Sequence, residues 1–172
     1  MNKEEALNFL RNHQPMPSDD CVTQKELDSY KECIEFFENN PDVECIPLFL
    51  NSFSKGRAFE GYDHVRFVFY KLPPENVIYY LKQYLYNENR NIRFWCAQFA
   101  LDYSYSELTE PLTYCLKDPD NGIRTWAVLA LKYIPEEKVT KILQEAYERE
   151  IDNAVKKDIE EALKYRKDKF GY

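Results

Sequence analysis

Histidine occurs twice, at His13 and His64, and cysteine five times, at Cys21, Cys33, Cys45, Cys96 and Cys115. These residue types most readily bind metals or act as nucleophiles. Zinc sites use Cys and His at short spacings. Cys21, Cys33 and Cys45 recur every 12 residues, an interval too long for a zinc knuckle, and read as thiols carried into a core on helices. Neither histidine has a second His four residues away or an HExxH context. A Cys–His nucleophile needs a thiol beside one of these two imidazoles, and no spacing marks such a pair. The phosphate-cradling patterns GxGxxG and GxxxxGK[ST] are missing. Carboxylates are plentiful, but they are spread as on a solvated surface, so paired-acid chemistry gains no support. The expectation is a chain that is not an enzyme, with no catalytic residue, no cofactor and no metal ligand.

The chain has 172 residues, 44% hydrophobic and 31% charged, the mix of a folded domain with a substantial core. Aromatics at 16% argue against disorder. No run approaches the roughly 20 apolar residues of a membrane span; the richest, 46–50 and 126–131, are short. The opening Met1-Asn2-Lys3-Glu4-Glu5 leads into no long apolar core, which argues against a secretory signal. With five cysteines and no CxxC pair, reduced thiols and a cytoplasmic location are expected. Net charge is −7, concentrated in residues 1–60 with 6 Lys/Arg against 12 Asp/Glu. Such a chain repels phosphate backbones, so no nucleic-acid or membrane partner is expected. The acidity suits either solubility or a basic protein partner.

The elements come from an internal repeat. Asn91-Ile92-Arg93-Phe94-Trp95-Cys96-Ala97 reappears within Asn121-Gly122-Ile123-Arg124-Thr125-Trp126-Ala127-Val128, with Ile92 to Ile123, Arg93 to Arg124 and Trp95 to Trp126 each a step of 31. A third copy at a step of 32 turns Ala130-Leu131-Lys132-Tyr133 into Ala162-Leu163-Lys164-Tyr165. A fainter copy lies at Asp63-His64-Val65-Arg66-Phe67. Each is preceded by another stretch of helical periodicity, over 74–86, 106–116 and 135–147. Pro74 and Pro135 sit near helix starts, where proline is tolerated, whereas Pro111 belongs in the first turn of a short helix or kinks a longer one. Short loops at 87–90, 118–121 and 150–152 favour antiparallel neighbours.

Leu116-Lys117-Asp118-Pro119-Asp120-Asn121-Gly122-Ile123-Arg124, followed by Ala127, Ala130 and Leu131, closely resembles the HEAT repeat, in its short form of about 30 residues. The resemblance covers about 62–168. It implies an all-α fold, a short right-handed α-solenoid of antiparallel helix pairs, in which the Asp caps the loop, the Arg tends to bridge to it and the second helix lines the concave face. Arg66, Arg93 and Arg124 are then ladder arginines bonding aspartates such as Asp118 or Asp120. The His–Glu metal pairs of HEAT-like hydroxylases are not found here, nor is the basic groove of HEAT-like DNA glycosylases. The last helix carries Lys156, Lys157, Asp158, Glu160, Glu161, Lys164, Arg166 and Lys167 around an apolar stripe of Val155, Ile159, Ala162 and Leu163. That pattern suits a capping repeat with a polar outer face and predicts that the array ends with the chain. The organisation expected is one α-solenoid domain over 1–172, with N-terminal helices and a glycine loop in 1–61 and HEAT-like repeats in 62–172.

In the N-terminal third, Thr23 with Glu26 forms a capping-box pattern, and Leu27, Tyr30, Ile34 and Phe37 make an apolar stripe ending at Asn39-Asn40-Pro41. An extended lead-in at 13–20 precedes this helix, and a second helix is expected over 42–53. The loop 54–61, with Lys55, Gly56, Arg57, Phe59, Glu60 and Gly61, reads as a connector or a contact site. Trp95 and Trp126 share a repeat position that becomes Asp158 in the cap, so they are expected half-exposed. Ile92, Cys96, Phe99, Ala100, Ile123, Ala127, Ala130 and Leu131 should face the core, and Phe94, Gln98, Asp102, Thr125, Leu129 and Lys132 away from it. The expected contact surface joins Glu60, Tyr62, Asp63 and Phe67 to Phe94, Trp95, Gln98, Asp102, Thr125, Trp126 and Leu129. The order of elements also resembles small cytosolic immunity proteins of bacterial polymorphic toxin and contact-dependent growth inhibition systems. That resemblance implies a protein that neutralises a cognate toxin by binding its C-terminal domain. The alternative is a HEAT-like adaptor or regulatory scaffold subunit without a toxin partner.

Overall fold

Capping side chains set several helix starts in the computed structural model, which describes residues 1–58 and 60–172. Thr23 accepts the Glu26 amide while Glu26 accepts the Thr23 amide, a complete capping box that opens α2 (Gln24–Asn39). Asn2 and Glu5 close the same reciprocal pair ahead of α1 (Lys3–Asn12). The spacing of Ala6, Leu7 and Leu10 behind that box marks a helix ahead of the lead-in at 13–20, which is itself non-helical. Then come α3 (Cys45–Ser52), α4 (Gly61–Phe69), α5 (Pro74–Tyr84) and α6 (Arg90–Ala100). A 3₁₀ turn at Ser106–Leu108 leads into α7 (Thr109–Cys115), followed by α8 (Asn121–Lys132), α9 (Glu137–Arg149) and α10 (Asn153–Phe170). Among the described residues there is no strand, so the fold class is all-α. Pro111 sits in the first turn of α7, buried, where its missing N–H has no intrahelical partner to lose.

The chain forms two compact units, Met1–Tyr80 and Leu81–Tyr172, with the boundary inside α5. In the first, α1 packs on α2 and α3, and α2 packs on α4. Its core is aromatic. Tyr30 meets Phe49 and Tyr62 edge-on at 5.9 and 5.7 Å, and the Tyr30 hydroxyl reaches Ser52 Oγ at 2.8 Å. The Tyr62 hydroxyl donates to the Ser52 carbonyl at 3.1 Å and accepts the Ser54 amide at 3.2 Å, so both buried phenols are satisfied. The glycine loop is pinned from outside: Asp19 accepts the amides of Arg57 and Ala58 at 3.0 and 2.9 Å. Gly56, at φ +111°, lies so close that a Cβ there would meet the Asp19 carboxylate at 2.4 Å, so glycine is required at that position. Phe59, part of the expected contact loop, lies outside the described residues.

In the second unit, α6, α8 and α10 pack in succession, while α7 packs on α8 and α9 on α10. This is the stacked helix-pair arrangement of an α-solenoid. Ile92, Cys96, Phe99 and Ala100 of α6, and Ile123, Ala127, Ala130 and Leu131 of α8, are all buried, as their spacing predicts. In α10 the stripe is Val155, Ile159 and Ala162.

Arg166 departs from the expected charged outer face: its side chain is fully buried. Its guanidinium donates to the carbonyls of Leu131, Ile134 and Glu136 at 3.1, 2.6 and 2.6 Å and to Thr140 Oγ1 at 3.0 Å. These carbonyls lie at the end of α8 and in the following turn, where the last helical C=O groups have no intrahelical donor. The buried cation serves as their cap, and its burial pushes its pKa down from the ordinary value.

Candidate functional site

The repeat-position arginines Arg93 and Arg124 form a structural ladder. Arg93 of α6 donates Nε to Asp118 Oδ2 at 2.7 Å and Nη1 to the carbonyls of Asn87 and Glu88 at 2.9 and 3.0 Å. One repeat later Arg124 of α8 donates Nε and Nη2 to Glu150 at 2.7 and 2.8 Å and Nη1 to the carbonyls of Asp118 and Pro119 at 2.9 and 3.2 Å. Each arginine closes its own preceding loop and ties it to the next. The acid in turn holds loop amides: Asp118 accepts from Asp120 N, and Glu150 from Ile151 N and Asp152 N. A second rung runs alongside, from Arg90 to Asp120 at 2.6 Å and from Asn121 to Asp152 at 2.8 Å. Glu150 replaces the aspartate expected for Arg124, and its longer side chain supports the two-point pairing.

The expected contact residues divide between the units. In the first, Glu60 is exposed at φ 74° ahead of α4. Asp63 pairs with Arg57, and Phe67 is 44% exposed. Tyr62 is fully buried, so it holds the core and does not face a partner. In the second, Trp95 and Gln98 are buried, correcting the half-exposed and outward placements expected of them. Asp102, Thr125, Trp126 and Leu129 are half-buried, and Thr125 donates to Asp158 of α10 at 3.0 Å. Phe94 is half-buried too, edge-on to Trp126 at 6.4 Å, with the Arg90 guanidinium 4.9 Å from its ring. A Cβ on Gly122 would come within 3.1 Å of this ring. Phe94 is therefore packed on the next repeat.

Each unit carries a depression lined by both apolar and charged residues. In the second unit a cleft of ≈ 490 Å³ opens beside the Arg124–Glu150 pair, walled by Leu116, Pro119, Ala146 and Ile151 with Lys117 and Arg149 on its rim. Ile151 stands 90% exposed there. In the first unit a groove of ≈ 520 Å³ lies between α2 and α4, lined by Lys31, Ile34, Glu35, Glu38, His64 and Phe67. Phe67 stands between His64 and Tyr70 along α4, with ring centroids at 5.9 and 6.2 Å, and Tyr70 is 51% exposed. The α2 wall was missed in the sequence. The signal available was Glu32, Glu35 and Glu38, a row of acids at three-residue steps beside the apolar stripe of that helix.

Among the described residues, no group of three or more His, Cys, Asp or Glu side chains is placed to hold a metal ion. No described helix is long and apolar enough to cross a membrane. Four cysteines are buried, and only Cys21 is exposed.

Residues 78–164 match the family of HEAT repeats. No curated protein matches the chain. The family match spans α6 to α9 and most of α10, the elements that carry the arginine ladder. Repeat spacing, the ladder geometry and this match agree, and the chain belongs to the HEAT-repeat family, whose helical arrays are generally non-catalytic scaffolds for protein interaction.

Proposed function

We propose that this chain works by binding a basic protein, and that the partner is the C-terminal domain of a bacterial toxin which it neutralises in the cytoplasm. The observation that carries this reading is the contrast between the acids of the two units. In Leu81–Tyr172 the acids of the repeat loops are consumed internally, Asp118 by Arg93, Asp120 by Arg90 and Glu150 by Arg124. In Met1–Tyr80, 14 Asp/Glu face 8 Lys/Arg, and Glu32, Glu35 and Glu38 line depressions on α2 beside Phe36 and Phe67. Those three carboxylates take part in no ion pair among the described residues. Unpaired acid beside exposed aromatic surface favours a basic protein and speeds its docking.

Co-purification with the product of the neighbouring gene tests the reading. The expected result is a 1:1 complex with the C-terminal domain of a large secreted protein, weakening as ionic strength rises. A metabolic neighbour and no complex would overturn it.

A second reading, an adaptor that joins partners without a toxin, draws on the separate cleft at Lys117, Arg149 and Ile151. It predicts capture of an unrelated acidic protein through that cleft, and Ile151→Asp abolishing the capture.

A further inference from the structure

We infer that the groove between α2 and α4 is a receptor for an arginine side chain presented by the basic partner. This rests on the reading of the chain as a binder of basic protein. The groove has one flat aromatic wall, Phe67, one aliphatic contact, Ile34, and two carboxylates, Glu35 and Glu38. Ile34 is 4% exposed and Phe67 44%, so the floor is fixed in the core while the ring stands open to solvent. A guanidinium meets such a surface in two ways at once. Its plane stacks on an aromatic face, and its paired N–H groups fit a carboxylate. The methylene stem of the arginine then lies along Ile34 and the ring.

The same lining separates arginine from lysine. An ammonium is a compact, strongly hydrated charge that pairs with one carboxylate and gains little from the ring plane. Lys31 also lines the groove and places a like charge against the guest, which the two carboxylates Glu35 and Glu38 outnumber. The charge complementarity also excludes an acidic segment, which would place its carboxylates against Glu35 and Glu38.

The full chain, isotope-labelled, is titrated with N-acetyl-arginine amide and separately with N-acetyl-lysine amide, following the Ile34, His64 and Phe67 resonances. Saturable shifts at these three residues are expected with the arginine probe, and binding about tenfold weaker with lysine. Two variants read the site independently: Glu35→Gln/Glu38→Gln removes charge and keeps shape, and Phe67→Leu keeps apolar bulk and removes the ring. All three positions line an open groove, and melting curves confirm that both variants fold. Each variant should weaken the arginine probe about tenfold and reduce capture of the basic partner. Absence of saturation, equal binding of the two probes, or unchanged binding in both variants overturns the inference. If both variants capture the partner like the parent chain, the groove is not the docking point, while the proposed function stands. If the parent captures no basic partner, the proposed function falls, and the arginine titration alone decides the groove.

Discussion

Arg124 and Glu150 form a two-point ion pair, Nε to Oε2 at 2.7 Å and Nη2 to Oε1 at 2.8 Å, with side chains only 13% and 6% exposed. The pair joins α8 to the loop that opens α10. Removing one partner leaves a desolvated charge with nothing opposite it, so Glu150→Ala should cost about 3 kcal/mol in urea unfolding. Arg124→Lys keeps the charge but loses the fork and the carbonyl bonds, and should cost about 2 kcal/mol. The double change Arg124→Met/Glu150→Leu should cost less than the sum of the single changes. A loss below about 1 kcal/mol for Glu150→Ala would place the pair with ordinary surface ion pairs.

The same carboxylate makes stability depend on pH. Burial works against ionisation of Glu150, but the hydrogen bonds from Arg124 and from the Asp152 and Ile151 amides outweigh it and hold the carboxyl below its usual 4.5. Asp152 is lowered likewise, by Asn121 and by the Val155 and Ala154 amides. A carboxyl with a lowered folded pKa gives stability that is complete above its unfolded value and is lost as pH falls through the folded one. The melting temperature should therefore drop from about pH 5 to about pH 3. Glu150→Gln should start lower and fall less steeply over that range. Parallel curves for the two proteins would rule out Glu150 as a source of the acid sensitivity.

The fold was largely legible because one signal, the 31-residue step, fixes both the helix pairs and their core faces. Ile92 and Ile123 or Cys96 and Ala127 occupy equivalent buried positions in successive helices. The contact surface was much less legible. The half-exposure read from Asp158 holds for Trp126, which is half-buried, and fails for Trp95, which is enclosed between the rings of Phe94 and Phe99. Phe94 looks like an outward aromatic until Gly122 is seen to leave the room it fills. Arg166 reads as surface charge because helical periodicity cannot reveal the five polar groups, from Leu131 to Thr140, that converge on it from another part of the chain. The α2–α4 groove depends on how two helices 22 or more residues apart meet, which no local pattern states.

Arg166 should behave as a core residue. Arg166→Met removes the guanidinium bonds to the carbonyls of Leu131, Ile134 and Glu136, each of which keeps one backbone amide, from Ile134, Glu136 and Val139 in turn, and the loss of these charge-assisted bonds should cost about 3 kcal/mol. Its neighbour Lys164 is exposed, and Lys164→Met should change stability by no more than about 0.5 kcal/mol. Hydrogen exchange locates the effect: protection should fall first at the end of α8 and in the turn before α9. Equal effects of the two changes would contradict the clamp.

Thiol reactivity should single out one cysteine. Cys21 is exposed, whereas Cys33, Cys45, Cys96 and Cys115 are buried. Burial, and then the nearby Glu32 carboxylate, pushes the Cys33 thiol up to about 12, and burial with Asp118 beside it does the same to Cys115. Burial raises Cys45 and Cys96 as well. The thiolate is the reactive form, so at mildly alkaline pH an aromatic disulfide reagent should titrate one thiol rapidly in the folded chain and all five in urea. Cys21→Ser should abolish the rapid phase. A rapid phase that survives this change would show that a second thiol is open to solvent, and that the core around it is looser than its packing indicates.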